Sequence, residues 1–100
     1  MRIATTPTHY YSLPVDASMV KYLRLTYKQF GETILEKTEQ DVTVDGYECS
    51  CKLTQQETLL FKPCCTARAQ VRIVTTDCDV FTSDEVIITV EDSFNKEVLE

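Results

Sequence analysis

One hundred residues, 43% of them hydrophobic and 26% charged, suffice for a single domain spanning 1–100; area scaling leaves roughly 5,800 Å² exposed of about 16,700 Å² in the extended chain, enough for one core and little for a deep catalytic cavity. Ten basic against sixteen acidic residues give a net charge of −6, which repels phosphate backbones and speaks against nucleic acid as a partner. No apolar run approaches the roughly 18 residues of a membrane span, and the opening MRIATTPTHYY lacks the apolar core of a signal peptide, so neither a membrane nor export is expected.

In chain order, Met1–Thr6 has little reason to fold alone and is a candidate partner-binding end. Pro7 and Pro14 bracket Thr8–Leu13, which suits an edge strand because proline cannot donate to a ladder. Leu23, Leu25 and Tyr27 then alternate with Tyr22, Arg24, Thr26 and Lys28, a strand with one apolar side. Gly31 divides it from a second strand over Thr33–Lys37. Val42 and Val44 lead into Asp45-Gly46, a hairpin signal that predicts a type I′ turn with positive φ at both residues, followed by a strand over Tyr47–Leu53.

Thr54 with Glu57 three residues later forms a capping-box pattern, predicting one short helical turn near 54–60. Val71 and Ile73, then Val86, Ile88 and Val90, restore the period of two. About seven short strands at turn spacings of about 8–12 residues define an all-β, antiparallel, immunoglobulin-like β-sandwich. Its expected core includes Leu23, Leu25, Val42, Val44, Val71, Ile73, Val86 and Ile88.

Candidate chemistry is sparse. The one histidine, His9, lacks the nucleophile and orienting acid that covalent catalysis requires, so a structural role is expected and no catalytic residue is assigned. Asp77-x-Asp79 begins like a calcium loop, but Thr82 and Ile88 stand where the glycine and distal glutamate belong; with Asp84 and Glu85 it reads as a solvated turn. Two isolated glycines cannot build a phosphate-cradling loop, and no cofactor is expected.

Cys49 and Cys51 share one strand face, Cys64-Cys65 follow on a proline-marked loop, and Cys78 stands between two aspartates. The odd number favours reduced thiols. Cys49, Cys51, Cys64 and Cys65 could together ligate zinc, but neither pair has the usual two-to-four-residue knuckle spacing, so Cys49 and Cys51 are read first as small core residues. The five tyrosines read as half-buried strand residues, some of them facing a partner. After Val90 the chain is polar except for Phe94, Val98 and Leu99, which fall on one face of a short helix that would need a partner to hold it.

The order of these signals runs Thr5-Thr6-Pro7-Thr8, Leu13-Pro14, Leu23-Arg24-Leu25-Thr26-Tyr27, Leu35-Glu36-Lys37-Thr38 and Val44-Asp45-Gly46. It continues through Leu53–Leu59, Val71-Arg72-Ile73 and Lys96-Glu97-Val98-Leu99. The series resembles, over nearly the whole chain, a family of small proteins encoded among tail and baseplate genes of phages and prophages of Gram-positive gut bacteria. The resemblance implies a non-enzymatic β-sandwich structural or adaptor protein of the virion, assembled in the host cytoplasm. Its partners would be other virion or prophage-encoded proteins, or further copies of itself. It transfers no functional residues, and the five cysteines are not part of its pattern. The alternative is a prophage-encoded regulator or inhibitor that binds one host protein.

Overall fold

The computed structural model describes residues 1–99, as two antiparallel sheets packed face to face in an all-β sandwich. The smaller sheet orders β1 (Thr8–Ser12), β5 (Glu48–Lys52) and β4 (Thr43–Asp45), with β5 central. In the larger sheet β3 (Glu32–Thr38) pairs with β2 (Val20–Gln29), and β2 pairs with β6 (Thr66–Thr75). The far edge of β6 is shared by β7 (Val80–Thr82) and β8 (Val86–Thr89).

The period of two sorts the side chains as expected. Leu23, Leu25 and Tyr27 on β2, with Ala67, Ala69, Val71 and Ile73 beside them on β6, join Cys49 and Cys51 of β5 in the core, all buried, with Ile3, Leu13, Leu53, Phe61 and Val90 also buried there. Of the expected core, Leu23, Leu25, Val71 and Ile73 are buried, while Val42, Val44 and Ile88 are partly buried against it. Val86 is the exception, at 42% exposed. It points to the inner side of its sheet opposite Ala69, but the three-stranded sheet does not reach across to cover it.

Turn chemistry departs from expectation in an instructive way. Asp45 pairs with Glu48, so the central turn residues are Gly46 and Tyr47, and only Gly46 has positive φ (56°). The hairpin therefore has the left-handed residue at its first central position only, as a type II′ turn does, instead of a type I′ turn on Asp45-Gly46. The double positive-φ turn is elsewhere. Gln29 pairs with Glu32 around Phe30 (φ 55°) and Gly31 (φ 77°).

Two irregularities shape the large sheet. Between Tyr27 and Lys28 the β2–β3 register shifts by one residue. At the opposite edge, Arg72 pairs with Thr82 but Ala69 pairs with Val86, so Gln70 and Val71 face three residues, Ser83, Asp84 and Glu85. This is a β-bulge. Ser83 fills it: its hydroxyl accepts from the Val71 N–H (3.0 Å), while its own N–H donates to the Val71 carbonyl (2.8 Å).

The predicted capping box forms as read. Thr54 Oγ1 accepts from the Glu57 N–H at 3.1 Å, Glu57 Oε1 accepts from the Thr54 N–H at 2.9 Å, and α1 spans Gln55–Thr58. Burial opposes ionisation of Glu57, yet its bonds to Lys37 and to the Thr54 N–H outweigh it and hold the carboxyl below its usual pKa. The Lys37–Glu57 pair ties α1 to β3.

A Cβ added at Gly46 would meet no atom within 4 Å, so the penalty for a side chain there is conformational alone. Gly46→Val is expected to destabilise the fold by about 1–3 kcal/mol, read by thermal or urea unfolding, because a β-branched residue is strained at positive φ.

Candidate functional site

Two regions stand out from the core: a buried polar chain and an uncovered sheet edge. The first is centred on Tyr27. Its hydroxyl accepts from Tyr11 Oη at 3.0 Å and lies 2.9 Å from His9 Nδ1. Tyr11 donates to Tyr27, and a Tyr27 hydroxyl that in turn donates to His9 Nδ1 matches the neutral imidazole that burial favours. The rings pack as well, with His9 tilted on Tyr27 and Tyr27 edge-on to Phe61, both at 5.8 Å between centroids.

Burial raises the Tyr11 hydroxyl to a pKa of about 12 and pushes Tyr27 up further. It lifts the Cys49 thiol to about 11, raises Cys51, and lowers His9. Every shift favours the uncharged form. A nucleophilic cysteine needs the opposite shift, a thiolate stabilised near neutral pH. The cluster is therefore a satisfied polar network inside the core, and no buried side-chain polar atom among the described residues lacks a partner.

The cysteines fall into separate places. Cys49 and Cys51 are buried on β5, as read; Cys65 is partly buried, and Cys64 and Cys78 are exposed, all five as free thiols. The fold does not bring Cys49, Cys51, Cys64 and Cys65 into a shared site: among the described residues no group of three His, Cys, Asp or Glu side chains is placed to hold a metal ion. Cys64 takes a left-handed φ of 63°, and its N–H donates to the Val90 carbonyl while the Val90 N–H donates to Cys65. Asp77 and Asp79 sit exposed in the β6–β7 turn.

The second region is the edge formed by β7 and β8. The large sheet extends past the small one here, so both faces of the edge meet solvent. Val80, Phe81, Val86 and Ile87 are all exposed, Ile87 at 64%. Only the far end is covered, and by an unexpected element. Met1–Ile3 lies parallel to the chain around Glu91: the Ile3 N–H donates to the Glu91 carbonyl (3.0 Å) and the Glu91 N–H donates to Met1 (2.7 Å). Arg2 pairs with Glu91 at 2.6 Å, and Ile3 is buried. Met1–Thr6, expected to have little reason to fold alone, is thus held in the fold, because Ile3 finds core surface to bury and Glu91 offers backbone to pair with.

The segment after Val90 forms no helix among the described residues. Phe94 is fully exposed and Leu99 largely so, while Val98 is half-buried. The helical face expected of Phe94, Val98 and Leu99 therefore does not exist as such. Instead Gln55 holds the Leu99 backbone at both groups: Nε2 donates to its carbonyl (2.6 Å) and its N–H donates to Oε1 (2.9 Å).

The chain matches no protein-family model, and no curated protein matches it in sequence.

Two outcomes follow from the buried network. Tyr27→Phe removes the partner of both Tyr11 and His9 and is expected to destabilise by about 1–3 kcal/mol in chemical unfolding. His9, depressed below its ordinary value of 6.5 mainly by burial, takes up its proton more readily unfolded than folded. Its stabilisation of the fold is complete above pH 6.5 and declines as pH falls from there towards the folded pKa. Melting temperature should drop through that window, and His9→Gln should flatten the drop.

Proposed function

We propose that this protein is a non-enzymatic structural or adaptor component of a phage or prophage tail or baseplate, acting through protein–protein contacts at its uncovered sheet edge. The observation that carries the reading is the overhang. β7 and β8 present unpaired backbone groups beside exposed Val80, Phe81, Val86 and Ile87. Soluble proteins ordinarily guard such an edge with charge, proline or a covering segment, because it templates the addition of another strand. Here the guards are a bulge carrying Asp84 and Glu85 and, at the far end, Met1–Ile3; the stretches between are open. A partner strand laid on this edge would gain main-chain hydrogen bonds and would cover the inner-facing Phe81 and Val86. Fully exposed Phe94 offers a further apolar anchor.

The tail or baseplate setting is supported by the resemblance in the order of strand starts and turns. The partners in this reading are other virion proteins or further copies of the chain.

Quantitative mass spectrometry of particles purified from cells carrying the gene tests the setting. The chain is expected in fixed ratio to the tail proteins. Absence from particles, together with a tight one-to-one complex with a host protein, would establish the regulator or inhibitor instead. Ile87→Lys tests the edge. Because Ile87 is exposed, stability should change by no more than about 0.5 kcal/mol, while incorporation or association should fall about tenfold or more.

A further inference from the structure

The outer face of the large sheet carries a pattern that folding alone does not favour. In the β2–β6 ladder Lys28 stands directly opposite Arg68, and Arg24 directly opposite Arg72. Like charges in opposed positions destabilise a sheet, and here two such pairs occur in a chain of net charge −6. Glu39 neutralises Arg24 (2.8 Å) and Glu85 neutralises Arg68 (2.6 Å), but neither Lys28 nor Arg72 has an ion-pair partner among the described residues.

The Lys28–Arg68 pair lines a cleft of about 670 Å³ that runs to the Phe30-Gly31 turn, within the size range of small-molecule sites. Phe30 is the second feature that folding does not favour. It holds a left-handed φ of 55°, where glycine or asparagine would be relaxed, and its ring is 67% exposed. Lys62 Nζ lies 5.3 Å from the ring centroid. The Lys62 backbone is fixed by Gln29, whose amide donates to its carbonyl (2.9 Å) and accepts from its N–H (2.7 Å). An aromatic platform and Lys28, a cation with no ion-pair partner among the described residues, thus share one cleft with the Arg68–Glu85 pair.

We infer that this cleft binds an anionic saccharide, a sugar acid or sugar phosphate, with the oxyanion between Lys28 and Arg68 and the sugar ring on Phe30. The remaining lining fits a hydroxyl-rich ligand because it offers both donors and acceptors. Thr26 and Thr66 carry hydroxyls, and Gln70 uses its amide N–H on the Ser83 carbonyl (2.9 Å), leaving its oxygen to accept. Glu85 in the same wall accepts hydroxyl protons but repels a second anionic group. That favours one localised charge over the charge string of an acidic peptide or an oligonucleotide.

Titration calorimetry and backbone amide shifts with glucuronate, glucose 6-phosphate, glucose and inorganic phosphate test the assignment. Both sugar anions should bind about tenfold or more tightly than glucose or phosphate, and should shift residues 26–31 and 66–70. Lys28→Gln and Phe30→Asn should each weaken binding about tenfold. Phe30→Asn is the informative variant, since asparagine tolerates the left-handed turn: melting temperature should hold or rise while affinity falls. The inference is overturned if neither sugar anion gives saturable binding, or if Lys28→Gln leaves affinity unchanged. It is equally overturned if inorganic phosphate, an aspartate oligomer or an oligonucleotide binds at these residues as tightly as the sugar anions.

Discussion

Three strands cannot cover five. The small sheet, β1-β5-β4, buries the inner side of β2 and β6 completely and stops there. On the β3 side, α1 reaches across through the Lys37–Glu57 pair. On the other side nothing equivalent exists, and β7 and β8 project beyond the core with apolar residues on both faces. The same width difference that leaves this edge open concentrates burial in the middle, where Leu23, Leu25, Tyr27, Cys49, Cys51 and Ala67 are wholly excluded from solvent. One margin is closed by its own helix, and the other is presented.

Within the closed part, the placement of Tyr27 explains why a core containing tyrosines, a histidine and two thiols is compatible with a stable fold. A buried hydroxyl without a partner is expensive, but a linked set in which each proton has an acceptor is not. Tyr11, Tyr27 and His9 come from β1 and β2, on opposite sheets, so their hydrogen bonds also fix how the two layers sit on each other. The residues that looked most chemical in the sequence thus serve the architecture. The cysteines at 49 and 51 behave likewise, as small apolar side chains where the sheets approach.

Much of the fold was legible because its signals are local. Alternation at Leu23, Leu25 and Tyr27 or at Val71 and Ile73 states which face is inward, and the Thr54–Glu57 spacing states where a helix begins. Alternation does not state how far the opposing sheet extends, and so it assigns Val86 to the core although the residue is exposed. Asp45-Gly46 announces a hairpin correctly but not its centre, since Val44 pairs with Cys49 and Asp45 with Glu48, where a turn centred on Asp45-Gly46 would pair Val44 with Tyr47. The burial of Ile3 depends on Glu91, and the charge pattern of the outer face depends on pairing Lys28 with Arg68 and Arg24 with Arg72. These partners lie far apart in the chain, and only the register of the ladder reveals them. The candidate cleft was therefore invisible in the sequence, while Phe94 could be singled out because an aromatic in a polar segment is conspicuous by itself.

The bulge at Ser83 also sets the parity of everything that follows it. Before it, even-numbered Val80 and Thr82 point outward with Val74 and Arg72; after it, odd-numbered Ile87 and Thr89 do so with Arg68 and Thr66. The single extra residue is what turns Ile88 and Val90 toward the core, and with them the backbone that Met1–Ile3 pairs against. In most loops a one-residue insertion or deletion is absorbed locally. Between Thr82 and Val86 it would invert the remainder of the strand, exposing Val90 and burying Glu91. This short, polar, surface-lying stretch therefore has a length as constrained as any position in the core, although its side chains are free to vary wherever they do not stand in for Ser83.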